Sequence, residues 1–327
     1  MKTPIVKLAA AFALAIGLGT SAHAEKLIIG TFGDPTPYQA AIAQGEFSKA
    51  TGWDIEWRKF ESGVDVISAM ASGDVQVSEV GSAPLAIAVS QGLDIKMFLV
   101  SFVIGSSESL IIRDGSGIEK PADLKGKTIG VPIGSTSQLS LAGALKHWGI
   151  SQADVRIMGM SPQQINAAWT QKYIDAAFVW NPVQGEILKT GKRLVTAGQV
   201  AKWGFPTFNA WVANDKFLAT HKKDLVAFAK AMNAANAAYL NNKAKWTADS
   251  APVALIAKRV GAQPDQVPPG LDGFEFLTSS EQVSWIDKNA ADALKSTADF
   301  LKADRRISTV RADYSKFVDD SIAKAAQ

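Results

Sequence analysis

Residues Val75–Gln91, VQVSEVGSAPLAIAVSQ, carry the reading of the fold. Val75–Val80 is a short apolar run with strand character. Gly81-Ser82-Ala83-Pro84 is a turn, and Pro84–Gln91 continues as an apolar helix closed by Gly92. A strand that runs through Gly-Ser-x-Pro into a helix is one α/β unit, with Ser82 placed to cap the helix and Pro84 suited to its first turn.

The same alternation extends in both directions and predicts an α/β fold. Upstream lie strand Lys26–Gly30, a helix from Tyr38 to Ala50, strand Asp54–Phe60 and helix Val64–Ala71. Downstream come strands Ile95–Phe102 and Ser109–Arg113, then a turn at Gly115-Ser116-Gly117. Beyond that turn a new series starts: strand Thr128–Pro132, helix Gln138–Trp148, strand Val155–Met158, helix Pro162–Gln171, strand Ala176–Trp180 and helix Val183–Thr190. Thr207–Ala213 is a further strand, and the rest is mostly helical, including Lys222–Leu240 and Ser284–Ala303. This order predicts a first lobe begun by residues 25–113, a second lobe at 114–207, and a return at 208–327 that completes the first. Ser109–Arg113 and Thr207–Ala213 are then the crossing strands of a two-strand hinge that lets the lobes close on a ligand.

Residues 1–24 read as a cleaved export signal. Lys2 and Lys7 give a positive start, Leu8–Leu18 an apolar run too short to span a bilayer, and Ala22-His23-Ala24 a cleavage pattern. No Cys follows for lipid attachment, so a freely diffusing periplasmic protein is expected. Losing Lys2 and Lys7 takes the formal charge from +3 to +1 and removes any general attraction to nucleic acid or anionic lipid. Zero Cys also excludes disulfides and thiolate chemistry.

Ligands of open α/β sheets bind beyond the carboxyl ends of parallel strands. Three loops fall there: Gly81–Pro84, Gly134–Gln138 and Asn181-Pro182. Each feeds a helix whose first N–H groups and positive dipole end attract anions without Lys or Arg. Ser, Thr and Asn also cap helices that bind nothing; the inference rests on several such loops sharing one end of two sheets. Phe32, in the first strand-to-helix loop, and Trp180 are candidate apolar walls. Trp53, Trp57, Trp148 and Trp169 are assigned to the core. His147 and His221 belong to no cluster with metal spacing, and no G-x-S-x-G elbow is present. No enzyme activity, cofactor or metal is expected.

Six segments, Trp57–Gly63 (WRKFESG), Ala71–Gln76 (ASGDVQ), Gly81–Ala86 (GSAPLA), Lys146–Ile150 (KHWGI), Ala167–Trp169 (AAW) and Lys202–Thr207 (KWGFPT), together closely resemble the periplasmic taurine-binding receptors of ABC importers. Gly-Ser-x-Pro alone indicates the wider sulfonate, nitrate and taurine receptor group. The resemblance implies a type II periplasmic-binding-protein fold, usually monomeric, that holds a small sulfonate between its lobes and passes it to an inner-membrane permease. It implies that Ser82 from one lobe and Ser135, Thr136 and Gln138 from the other hold the sulfonate. Phe32, Gly33, Trp180 and Asn181 complete the expected cleft. For the ligand's amine, Asn209 stands where an acid is expected, and Glu79 stands where the family carries an amide. Glu79, Glu108 and Asp34 are therefore the candidate amine partners. The alternatives are a receptor for alkanesulfonates without an amine, or an enzyme like the thiamine-pyrimidine synthases of the same fold.

Overall fold

The computed structural model describes residues 26–327, so the expected signal at 1–24 lies outside the described residues. The chain opens with β1 (Lys26–Thr31), α1 (Pro37–Ala43), α2 (Glu46–Thr51), β2 (Asp54–Lys59), α3 (Gly63–Ser72), β3 (Val77–Gly81), α4 (Ser82–Ser90) and β4 (Ile95–Ile104). A second series follows: β5 (Glu108–Arg113), β6 (Thr128–Val131), α5 (Thr136–His147), β7 (Arg156–Gly159), α6 (Pro162–Thr170), β8 (Ala176–Trp180), α7 (Val183–Ile187), β9 (Gly191–Thr196) and α8 (Ala197–Lys202). The return comprises β10 (Phe208–Asn214), α9 (Asp215–Thr220), α10 (Lys222–Leu240), α11 (Ala251–Val260), α12 (Val267–Leu271), β11 (Phe274–Glu275), α13 (Ser279–Trp285), α14 (Ala291–Ala303) and α15 (Ser321–Ala325).

These strands form two sheets, one in the order β11-β4-β10-β3-β1-β2 and the other β7-β6-β8-β5-β9. Within the first, β1 runs parallel to β2 and β3, while β10 lies antiparallel between β3 and β4. Within the second, β6 runs parallel to β7 and β8, and β5 lies antiparallel between β8 and β9. Because β10 and β5 run against their parallel neighbours, their first residues meet the carboxyl ends of β3 and β8. Asn209 pairs with Gly81, and Glu108 pairs with Trp180. One antiparallel strand in each lobe thus adds its first side chains to the end of the sheet where ligands bind.

The expected crossing strands differ from those observed. β5 lies wholly in the second sheet and β10 wholly in the first. The chain crosses at residues 105–107 and 203–207, where the Ile104 N–H donates to the Thr207 carbonyl at 3.0 Å and the Gly105 N–H donates to Gly273 at 3.0 Å. Close packing at Gly105, whose Cβ position lies 2.7 Å from the Gly273 carbonyl, leaves no room for a side chain there. The second sheet therefore begins at Glu108, ahead of residue 114. The helix expected from Tyr38 to Ala50 is two helices, because Gly45 takes φ 73° and breaks the turn between them. Strand β9 and helix α8 had no counterpart in the sequence reading.

A buried aromatic group holds the first lobe. Phe228 of α10 packs on Trp211 of β10 at 5.0 Å between ring centroids and on Phe47 of α2 at 4.8 Å, and Tyr38 meets Trp211 edge-on at 5.4 Å. α10 buries Leu225, Phe228, Ala229, Met232 and Ala235, the spacing of one helix face. Trp53 and Trp169 are buried, and Trp57 and Trp148 pack partly buried against the cores.

Candidate ligand-binding site

The carboxyl ends of the two sheets face each other across a small cavity of about 50 Å³. A water needs about 10–15 Å³ on the same scale, so the space suits a solute of a few heavy atoms and excludes a nucleotide. Its walls include Phe32, Phe102, Ile104, Trp180 and Phe274, with polar groups from Asp34, Glu61, Ser62, Ser107, Glu108, Ser135, Thr136 and Asn209. The lobes touch around it. Gln163 Nε2 donates to Glu61 Oε2 at 3.0 Å, and the Cβ position of Gly81 lies 3.0 Å from Thr136 Cγ2. The two lobes are thus in contact around the cavity.

Three helices begin at the cavity. Ser62 caps α3, Gly81 precedes α4 and Ser135 caps α5; all three residues line the space. The Ser62 hydroxyl accepts from the Asp65 N–H, and that of Ser135 from the Gln138 N–H, each at 3.2 Å. Helix N-termini from both lobes thus direct positive dipole ends at the cavity, without any Lys or Arg in its lining.

Carboxylates supply the opposite sign. Glu108, only 6% exposed, receives hydrogen bonds from the Thr136 hydroxyl at 2.6 Å and the Ser137 hydroxyl at 2.8 Å. Burial outweighs these bonds and pushes its carboxyl up to about 7. Asp34 opens toward the cavity but is surrounded by protein. Burial, and then the charges of Glu79 and Glu108, hold its carboxyl well above the ordinary range, against a smaller opposing pull from Lys59. Acids held this way favour a cation or a retained proton.

The structure divides the sequence-predicted residues. Phe32, Asp34, Glu108, Ser135, Thr136, Trp180 and Asn209 meet at the cavity. Gly33 and Asn181 instead line a neighbouring pocket that shares Phe32, Asp34, Glu61 and Trp180 with it. Ser82 is buried as the first residue of α4, not its cap, and its hydroxyl accepts the Phe208 N–H at 3.4 Å, which ties the helix to β10. Gln138 Oε1 accepts the Gly134 N–H at 2.7 Å and braces the loop. Glu79, expected to meet the ligand, lies behind the wall. It is fully buried, accepting from Tyr38 Oη at 2.5 Å and from Asn209 Nδ2 at 3.3 Å. Glu61, Ser62, Gly63, Phe102, Ile104, Ser107 and Phe274 were missed, while Gly81 and Pro84 come from a loop the sequence had marked. Ser62 repeats the Ser-cap signal seen at Ser135, whereas Phe274 comes from a segment with no local mark. His147 and His221 are not in the cavity lining: His147 stacks on Trp203 at 3.9 Å and His221 on Phe217 at 4.0 Å.

Residues 34–245 match the family model described as NMT1/THI5 like. The chain is 39% identical to the taurine-binding periplasmic protein of Escherichia coli strain K12, over 86% of this chain and 88% of that one. The alkanesulfonate-binding protein SsuA from Xanthomonas axonopodis pv. citri, solved with MOPS bound, matches with TM-score 0.73 and 19% identity over 91% of this chain and 100% of that one. The architecture is thus the type II periplasmic-binding-protein fold. The desulfurization enzyme DSZB also matches, with TM-score 0.65 and 15% identity over 92% of this chain and 98% of that one. Fold alone does not separate binding from catalysis.

Proposed function

Because the chain belongs to the NMT1/THI5-like family, and within it groups with the periplasmic taurine-binding protein of Escherichia coli, we propose that it is a periplasmic receptor that binds taurine, or a closely related small amino sulfonate, and delivers it to the permease of an ABC importer. One observation carries this reading. A single small cavity joins three helix N-termini to the carboxylates of Asp34 and Glu108. Such a space is complementary to a short zwitterion, with the sulfonate at the helix ends and the ammonium toward the acids. Phe32, Phe102, Trp180 and Phe274 cover the carbon chain between them. Binding holds the lobes together, and the permease is offered the closed form. The export signal at 1–24 would bring the chain to that compartment.

A receptor fits the cavity better than an enzyme does. Its lining contains no His, the chain has no Cys, and the two His outside the leader are stacked on aromatic rings elsewhere. A thermal-shift screen of the mature protein tests the reading, because stabilisation grows with ligand concentration over Kd. Taurine is expected to raise Tm more than ethanesulfonate, nitrate or thiamine precursors at equal concentration. Equal stabilisation by ethanesulfonate would transfer the assignment to alkanesulfonates without an amine, and chemical turnover of a bound compound would overturn it.

A further inference from the structure

We propose that Glu79 is a specificity-determining positioning residue: it takes the Asn209 amide N–H behind the cavity wall, turns the Asn209 carbonyl oxygen inward, and so selects ligands that carry an N–H donor. This rests on the sulfonate-receptor reading and adds the group that would tell an amino sulfonate from a plain one.

The geometry begins at β1. Thr31 Oγ1 and Tyr38 Oη share a hydrogen bond at 3.2 Å, and Tyr38 Oη donates to Glu79 Oε2 at 2.5 Å. Glu79 Oε1 then accepts Asn209 Nδ2 at 3.3 Å. Asn209, 7% exposed, is set in β10 opposite Gly81 on one side and Phe102 on the other, and both neighbours line the cavity with it. An asparagine amide has two ends of nearly equal shape and opposite chemistry, so its partner decides which way it faces. Burial raises the Glu79 carboxyl, and the bonds from Tyr38 and Asn209 pull it back toward the ionised form; with a donor already set on each of its oxygens, it only accepts. It therefore captures the NH₂ end and leaves Oδ1 on the cavity side, 3.3 Å from the Cβ position of Gly81. Asp34 and Glu108 provide charge at this wall; the Asn209 oxygen provides direction.

Replacing Glu79 by Gln reverses the relay. Tyr38 still donates to the new amide oxygen, so the Gln NH₂ points at Asn209. Asn209 must then offer its oxygen backward and its NH₂ to the cavity, which opposes a ligand ammonium. Exchanging both residues, Glu79→Gln with Asn209→Asp, keeps the hydrogen bond with its direction inverted and again presents an acceptor to the cavity.

The test is calorimetry on the mature protein with taurine and ethanesulfonate. Glu79→Gln is expected to weaken taurine binding by at least ~10-fold more than ethanesulfonate binding, the scale of one hydrogen bond to a charged group. The double exchange is expected to recover taurine affinity to within about threefold of the parent. Should Glu79→Gln fail to fold, Asn209→Ala provides the same contrast, since it removes the oriented oxygen but leaves Glu79 bonded to Tyr38. Equal losses for both ligands, or a double exchange no better than Glu79→Gln, would overturn the proposal. A parent protein that binds taurine while the variants show equal losses sinks only the orientation; a parent that binds neither sulfonate removes the receptor reading itself.

Discussion

Glu108, set beside the ligand ammonium in the proposed function, is expected to make binding depend on pH, with a magnitude that follows from its site. Its carboxyl is raised from an ordinary 4.5 to about 7, mainly by burial. The folded, ligand-free protein therefore holds a proton that the unfolded chain releases near 4.5. Stability consequently falls as pH rises from 4.5 through 7, by about 3 kcal/mol from this group alone. A ligand ammonium beside Glu108 favours the ionised form, so binding expels that proton. If only the ionised carboxylate accepts the ligand, Kd rises about 10-fold for each pH unit below 7 and is nearly constant above 8. The sulfonate keeps its charge throughout and the ammonium does up to about pH 8, so the dependence below that belongs to the protein. Calorimetry of taurine binding between pH 5.5 and 8.5, in two buffers of different ionisation enthalpy, measures both Kd and the protons released. About half a proton should leave at pH 7 and nearly one at pH 6. Glu108→Gln should flatten the profile. A parent Kd that stays within twofold from pH 6 to 8, or an unchanged slope in Glu108→Gln, would refute the assignment.

Other outcomes follow from single contacts. Gly81→Ala adds a methyl 3.0 Å from Thr136 Cγ2 across the cleft. It should weaken ligand binding by ~10-fold or more while moving the ligand-free Tm little, because Gly81 has an ordinary φ of −72°; calorimetry paired with thermal melting checks both. Thr136→Val removes the 2.6 Å hydrogen bond to Glu108, which favours the ionised form, so the pH midpoint of taurine binding should move upward. Phe228→Ala empties the centre of the aromatic group in the first lobe and should cost about 3–5 kcal/mol in denaturant unfolding, with binding preserved in the fraction that folds.

Much of this molecule is legible locally. The Val75–Gln91 unit folds as strand and helix because its apolar period changes at Gly81, although the expected turn at Gly81–Pro84 is absent and β3 passes directly into α4; α10 spans Lys222–Leu240, the range its amphipathic spacing predicts. Loops after parallel strands could be picked out because Ser and Gly mark helix starts; Ser135 caps α5 for that reason. Ser82 misled because hydroxyl identity does not say whether the residue is the cap or the first helical position. That depends on where β3 ends, and β3 runs through Gly81.

What sequence alone determined is the α/β alternation, the helix starts that attract an anion, and the kinds of residue available to the site. These depend on nearest neighbours along the chain. Only the tertiary structure decided which acids face the cavity. Glu79 sits two residues before Gly81, yet its side chain is turned toward Tyr38, 41 residues away in sequence, and toward Asn209, 130 residues away. Asn209 reaches the cavity because β10 runs antiparallel to β3, and Glu108 because β5 does the same beside β8. Strand direction and register are properties of pairing between distant segments. The same carboxylate can therefore touch a ligand or aim the amide that does, and its own sequence neighbourhood does not distinguish the two.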